Sequence, residues 1–175
     1  MSNTKSQVRI RPMVFSDLKD ILAVDEAIRE VETSDTDTHK EVTYRDFNTK
    51  RIFGMIDVKD ADSAKRPDIL EVAKLIDLGL VAESEGRICG FVVGRQTYLI
   101  EREIQEGEIA IVSVHPDCQR SGIGTKLINA ICDLFLSRGV HRVRMGMDPR
   151  DNYLQNFLEG EGFSTRRLLY YTKNI

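Results

Sequence analysis

The chain has 175 residues, 41% of them apolar and 30% charged, with a formal net charge of -3, the size and balance of one globular domain with a substantial core. That mild acidity leaves no basic footprint for nucleic acid, and no apolar run approaches the ~18 residues of a membrane span. The polar opening MSNTKSQ lacks the apolar core of a secretion signal, and Cys89, Cys118 and Cys132 have no CxxC spacing, which predicts free thiols in a cytoplasmic setting.

Residues 1–7 read as a flexible N-terminal segment and 8–175 as one domain. VRIRPM (8–13) alternates like a short strand, and Pro12 places it near a sheet edge. Ser16 is the expected cap of a helix in SDLKDILAVDEAIRE, where Leu18, Ile21, Leu22, Asp25 and Ile28 share a stripe. The polar stretch 31–41 predicts a loop. Helices follow around 43–57 and 68–77, the second introduced by Pro67 and closed by Gly79.

The period then shifts towards two. LGLVAES and RICGFVVGRQTYLI flank Glu85-Gly86 as a hairpin. Glu106-Gly107 predicts another turn, and EIAIVSV (108–114) a strand apolar enough for the centre of a sheet. A helix spans Gly122 to Ser137, with Ile123, Leu127, Ile131 and Leu134/Phe135 on one stripe and Gly139 past its end. VHRVRMGM (140–147), DNYLQNFLEG (151–160) and STRRLLYYTK (164–173) predict strand, helix, strand. The sum is a mixed α/β fold, with strands 108–114 and 140–147 parallel across a helical crossover.

The strand-to-helix passage HPDCQRSGIGTKLINAICDLF (115–135) carries the chemistry. A helix N-terminus presents backbone N–H groups without intrahelical partners and the positive end of the macrodipole. Gly122 and Gly124 lack Cβ atoms, so the chain can bend tightly and an anion can approach those amides. Arg120 adds a formal charge. Glycines at a helix start are also what an ordinary turn uses, so this reading alone leaves both open. Neither GxxxxGK[ST] nor GxGxxG is present.

The pattern Gln119-Arg120-Ser121-Gly122-Ile123-Gly124, preceded by VSVHPD and followed by N…FLEGEGF (152–163), resembles the acyl-CoA loop and C-terminal half of the GNAT superfamily of N-acetyltransferases. The layout of elements over roughly 8–173 is similar as well. The resemblance implies a single-domain mixed sheet of about six to seven strands flanked by helices. It implies acetyl-CoA as co-substrate, no metal, and direct transfer of the acetyl group to a primary amine on a small molecule or peptide. It also admits a homodimer through strand edges.

The same resemblance assigns roles residue by residue. The amides of Gln119, Arg120, Ser121, Gly122, Ile123, Gly124 and Thr125 would hold the pyrophosphate of coenzyme A. The pantetheine arm would lie along Val112, Ser113 and Val114, and the Val112 N–H would polarise the thioester carbonyl, a contribution on the order of 3 kcal/mol. Glu108, eleven residues before Gln119, falls where the histone-acetylating branch has its general base. In regular pairing it would share a face with Ala110 and Val112, in an apolar strand that favours basicity. The other reading makes it a solvated strand-end residue. Asn152 matches a CoA-contacting asparagine or is a helix N-cap, and the register also allows Asp151.

Leu158 occupies the position where many members carry a proton-donating tyrosine; Tyr153, Tyr170 and Tyr171 are the substitutes to weigh. A non-catalytic acyl-CoA-binding module, and transfer of another acyl chain or to a hydroxyl, are the rival readings. The scattered His39, His115 and His141 offer no metal spacing. Arg142 and Arg144 read as a solvated strand face. Residues 25–41 hold seven acids against two bases, a field that would favour a cationic acceptor, or simply a solvated loop.

Overall fold

The computed structural model describes residues 7–34, 78–99, 104–147, 149 and 151–166. The helices expected around 43–57 and 68–77, the last strand from residue 167 on, and residues 1–6 lie outside the described residues. The elements are β1 (Arg9–Pro12), α1 (Leu18–Ser34), β2 (Gly79–Ser84), β3 (Arg87–Leu99), β4 (Ile104–Val114), α2 (Ile123–Ser137), β5 (Val143–Met145) and α3 (Asn152–Gly160). The strands form one sheet in the order β1-β2-β3-β4-β5. All neighbours are antiparallel except β4 and β5, which are parallel across the α2 crossover. Five of the expected six to seven strands are thus among the described residues.

The β2–β3 hairpin turns at Glu85 and Gly86, both left-handed at φ 53° and 76°, the twist-matched geometry of a two-residue connection. Ser16 does not cap α1. It sits inside a 3-10 turn at Phe15–Asp17 whose N-cap is Val14, and Asp17 closes that turn by reaching back, its Oδ2 accepting from the Val14 N–H at 2.8 Å. The helix then runs on to Ser34, into the stretch read as a loop.

Arg11 on β1 holds that start in place. It donates to both carboxylate oxygens of Asp17, at 2.7 and 2.9 Å, and to Glu83 at 2.6 Å. The hydrogen bonds from Arg11 hold the Asp17 carboxyl below the usual carboxylate range. A folded-state pKa below the unfolded one stabilises the fold at neutral pH, and the gain is lost as pH falls through the folded value. Asp17→Asn is therefore expected to be less stable than the parent at pH 7, by ~1–3 kcal/mol, with the gap closing at acid pH as the carboxyl of the parent protonates below the usual carboxylate range. Melting curves of both proteins at neutral and acid pH check this.

The sheet separates two cores. On one side Leu18 and Ile21 of α1 pack with Met13, Val81, Phe91, Val93 and Ile111; on the other Leu127, Ile131 and Phe135 of α2 pack with Leu80, Val92 and Ile109. Glu106-Gly107 is not a turn. Both residues are inside β4, and Gly107 pairs with Gln96 on one side and Val143 on the other. A Cβ at Gly107 would come within 2.9 Å of the Phe135 ring. The glycine therefore serves close helix–sheet approach and not chain reversal.

One irregularity re-aims β4. Its register with β3 passes from Gly94↔Ile109 to Val93↔Ile111, so Ala110 is the extra residue of a β-bulge. Ile109 and Val112 then pack on the α2 side while Ile111 packs on the α1 side. Glu108, one residue before Ile109, lies on the α1 side with Ile111, so regular alternation with Val112 does not hold.

Candidate active site

Parallel pairing of β4 with β5 covers only Gly107↔Val143, Glu108↔Arg144 and Ile109↔Met145. From Ala110 to Val114 the central strand runs on beyond its parallel neighbour, and the two part as a fork. Val112 and Val114 are half-buried on the α2 side, and Ser113 is buried. At the top of β4 the His115 N–H donates to the Cys89 carbonyl at 2.8 Å, and Pro116–Cys118 form a 3-10 turn. The Gln119 side chain ties back to the Val114 carbonyl at 3.2 Å, and the Ser121 hydroxyl to the Cys118 carbonyl at 2.5 Å.

The chain then turns twice through the left-handed region, at Arg120 (φ 59°) and Gly122 (φ 79°). Holding an arginine there costs on the order of 1–3 kcal/mol, strain of the kind kept at functional loops. Gly122 is the N-cap of α2, and the first helical bond is the Lys126 N–H to the Gly122 carbonyl at 3.1 Å. Among the described residues nothing accepts from the backbone N–H groups of Arg120 through Thr125. The Gln119 N–H, by contrast, is spent on the Pro116 carbonyl at 3.2 Å.

A row of open amides beside a guanidinium, at the positive end of α2, fits a diphosphate. The two glycines divide the work. A Cβ at Gly122 would meet nothing within 4 Å, whereas one at Gly124 would come within 3.1 Å of the Phe157 ring. Gly122 thus serves the left-handed turn, while Gly124 lets α3 pack on α2. Ile123 is a core residue at 3% exposure, and the Thr125 hydroxyl donates to Glu161 at 2.5 Å.

On α3, Asp151 is the cap, accepting from the Leu154 N–H at 2.8 Å. Asn152 is the exposed first helical residue, free of that duty. Tyr153 is exposed, with the Arg120 guanidinium 5.3 Å from its ring centroid, so the contact that joins it to the site is to the anion loop. Leu158 is buried.

The other half of the fork is ionic. Glu108 is buried, and its two oxygens accept from Arg95 on β3 at 2.5 Å and from Arg144 on β5 at 3.0 Å. Glu106, also buried, accepts from Arg142 at 3.2 Å and lies 3.7 Å from Arg144. Glu108 is buried as its place in an apolar strand suggests, but its carboxylate is flanked by two guanidiniums and not by apolar side chains alone. Arg142 and Arg144 are half-buried partners of these acids and not a solvated face. Sequence reasoning missed Glu106 and Arg95. The signal was Glu-x-Glu on one strand against Arg-x-Arg on its parallel neighbour.

Among the described residues no group of His, Cys, Asp and Glu could hold a metal ion, and no helix is long and apolar enough to cross a membrane.

A mixed sheet that forks beside a helix start with open backbone amides defines an α/β domain of one sheet flanked by helices. The model of the acetyltransferase (GNAT) family matches residues 26–163, and the chain belongs to that family. Among solved structures, an aminoglycoside acetyltransferase, meta-AAC0020, from an uncultured soil metagenomic sample and in complex with sisomicin, aligns over 96% of each chain with TM-score 0.62 at 18% identity. Aminoglycoside N-acetyltransferase AAC(6')-Iy in complex with CoA aligns over 100% of both chains with TM-score 0.64 at 18% identity. A Trypanosoma brucei acetyltransferase covers 96% of this chain and 100% of its own with TM-score 0.62 at 19% identity. At such identities the likeness is one of fold. No curated protein matches the chain.

Proposed function

We propose that the protein transfers the acetyl group of acetyl-CoA directly to a primary amine in a ternary complex. The observation that carries this reading is the loop: consecutive open amides from Arg120 to Thr125 at a helix start, beside the fork of β4 and β5. Those amides and Arg120 bind the pyrophosphate, and Val112, Ser113 and Val114 align the pantetheine arm. The acetyl-CoA supplies the activated acyl group. The Val112 N–H stabilises the negative charge that builds on the carbonyl oxygen as the amine attacks. Glu108 receives the proton the amine must lose. Its two oxygens each carry a second lone pair beyond the ones used by Arg95 and Arg144. Asn152 contacts the coenzyme from the first turn of α3, and Tyr153 is the candidate proton donor to the leaving thiolate.

Leu158 favours a second reading, an acyl-CoA-binding module without turnover, because a buried leucine at that position has no proton to give. Free-thiol release from acetyl-CoA, measured against a panel of amines, separates the two. The loop is tested beside it with Arg120→Gly, which removes the charge while keeping the amides and relieving the left-handed strain at that residue. The variant is expected to raise the KM for acetyl-CoA about tenfold with little change in kcat, from the loss of one charge-assisted contact. An unchanged KM would remove Arg120 from the pyrophosphate site.

A further inference from the structure

The ion network at the fork carries a statement about the acceptor, resting on the acetyl-transfer reading above. Five side chains, four on three adjacent strands and Arg142 just before β5, form one chain of contacts: Arg95, Glu108, Arg144, Glu106 and Arg142, linked at 2.5, 3.0, 3.7 and 3.2 Å. The acids are buried, each side chain only 8% exposed, while the arginines remain 38%, 36% and 40% exposed. Among the described residues the network therefore has three cations for two anions, and its cationic members are the more exposed ones. Their donors also outnumber their acceptors. Among the described residues Arg142 gives a single N–H to Glu106, at 3.2 Å, and Arg95 one to Glu108. A guanidinium with spare donors recognises a planar carboxylate better than any other common group.

The place matters as much as the charge. Glu108 pairs in register with Arg144 one residue before β4 and β5 part, so the surplus lies beside the point where the amine must meet the thioester. We infer that the acceptor is an amine that also bears a carboxylate, such as an amino acid or a short peptide. Its ammonium group lies towards Glu108 and its carboxylate on the part-exposed guanidiniums of Arg142 and Arg95. An alternating row of charges suits a zwitterion. A polycation such as a polyamine or aminoglycoside would instead face the arginines without a counter-charge.

The test pairs each acceptor with its decarboxylated analogue: L-tyrosine with tyramine, L-glutamate with 4-aminobutyrate, which keeps one carboxylate at a different reach, and glycyl-tyrosine with glycyl-tyramine. Spermidine and kanamycin stand as the polycations. Thiol release is expected to favour the carboxylate-bearing member by roughly ten- to a hundredfold in kcat/KM. Arg142→Gln is expected to erase that preference by raising KM for the acid alone, with Arg142→Lys as the variant that keeps the charge and loses the fork. Turnover of tyramine equal to tyrosine, or of spermidine or kanamycin above both, would overturn the inference. Binding of N-acetyltyrosine against N-acetyltyramine, followed by calorimetry, reads the carboxylate preference without catalysis. Selective binding with no turnover of any amine would sink acetyl transfer and keep the carboxylate site; turnover with equal binding of the two products would do the reverse.

Discussion

Glu108→Gln is expected to lower kcat by ~10²- to 10⁴-fold, the range a positioned general base contributes, while leaving acetyl-CoA binding close to that of the parent. The amide keeps the shape of the side chain and one acceptor oxygen but cannot take the proton. Arg95 and Arg144 lose the one carboxylate they share, yet both guanidiniums are more than a third exposed, so water can solvate them and the stability cost stays modest. Glu106→Gln is the matched comparison. It removes the same charge from the same network, one strand repeat earlier, and is expected to change kcat by less than about tenfold. If the two variants fall equally, the network acts through its field and Glu108 is not the base. If Glu108→Gln alone falls and acetyl-CoA affinity is unchanged by calorimetry, proton transfer is the lost step.

How far this site could be read from sequence depends on which interactions were local. The loop from Gln119 to Thr125 was legible because its function is written in consecutive residues: a 3-10 turn, two left-handed positions and a helix start. The hairpin at Glu85-Gly86 was legible for the same reason. The orientation of Glu108 was not. It depends on Ala110 being skipped in the pairing with β3, a decision taken by two strands together and leaving no trace in the alternation of one. The ionic partners of Glu108 were hidden likewise, since Arg95 is thirteen residues away in the chain and Arg144 thirty-six. Read alone, Arg142 and Arg144 alternate like a wet face; only the parallel register beside Glu106 and Glu108 pairs them with buried acids. Glu106-Gly107 failed for another reason. Glu-Gly is a good turn dipeptide, and tertiary packing overrode it.

That packing sets the second large effect. Phe135, fully buried on α2, lies over two strand glycines: a Cβ at Gly94 would stand 2.6 Å from its ring and one at Gly107 2.9 Å. Phe135→Ala is expected to destabilise the fold by ~3–5 kcal/mol, a fall in melting temperature on the order of 10 °C for a chain of this length. Gly107→Ala approaches the same contact from the other side and is expected to cost ~1–3 kcal/mol by overpacking. The two are in direct contact, so their effects should not add. In the Phe135→Ala background the new methyl has a cavity to enter, and Gly107→Ala should there be neutral or stabilising. Denaturant melts of the four proteins read the coupling directly. Additive losses would show that Gly107 is small for some reason other than the ring. Gly107 also stands between Glu106 and Glu108 on β4, and its register partner Val143 lies between Arg142 and Arg144 on β5. A methyl that pushes α2 off the sheet at this point would therefore move the acids against their arginines. The activity of Gly107→Ala should fall with its stability and return with it in the double variant.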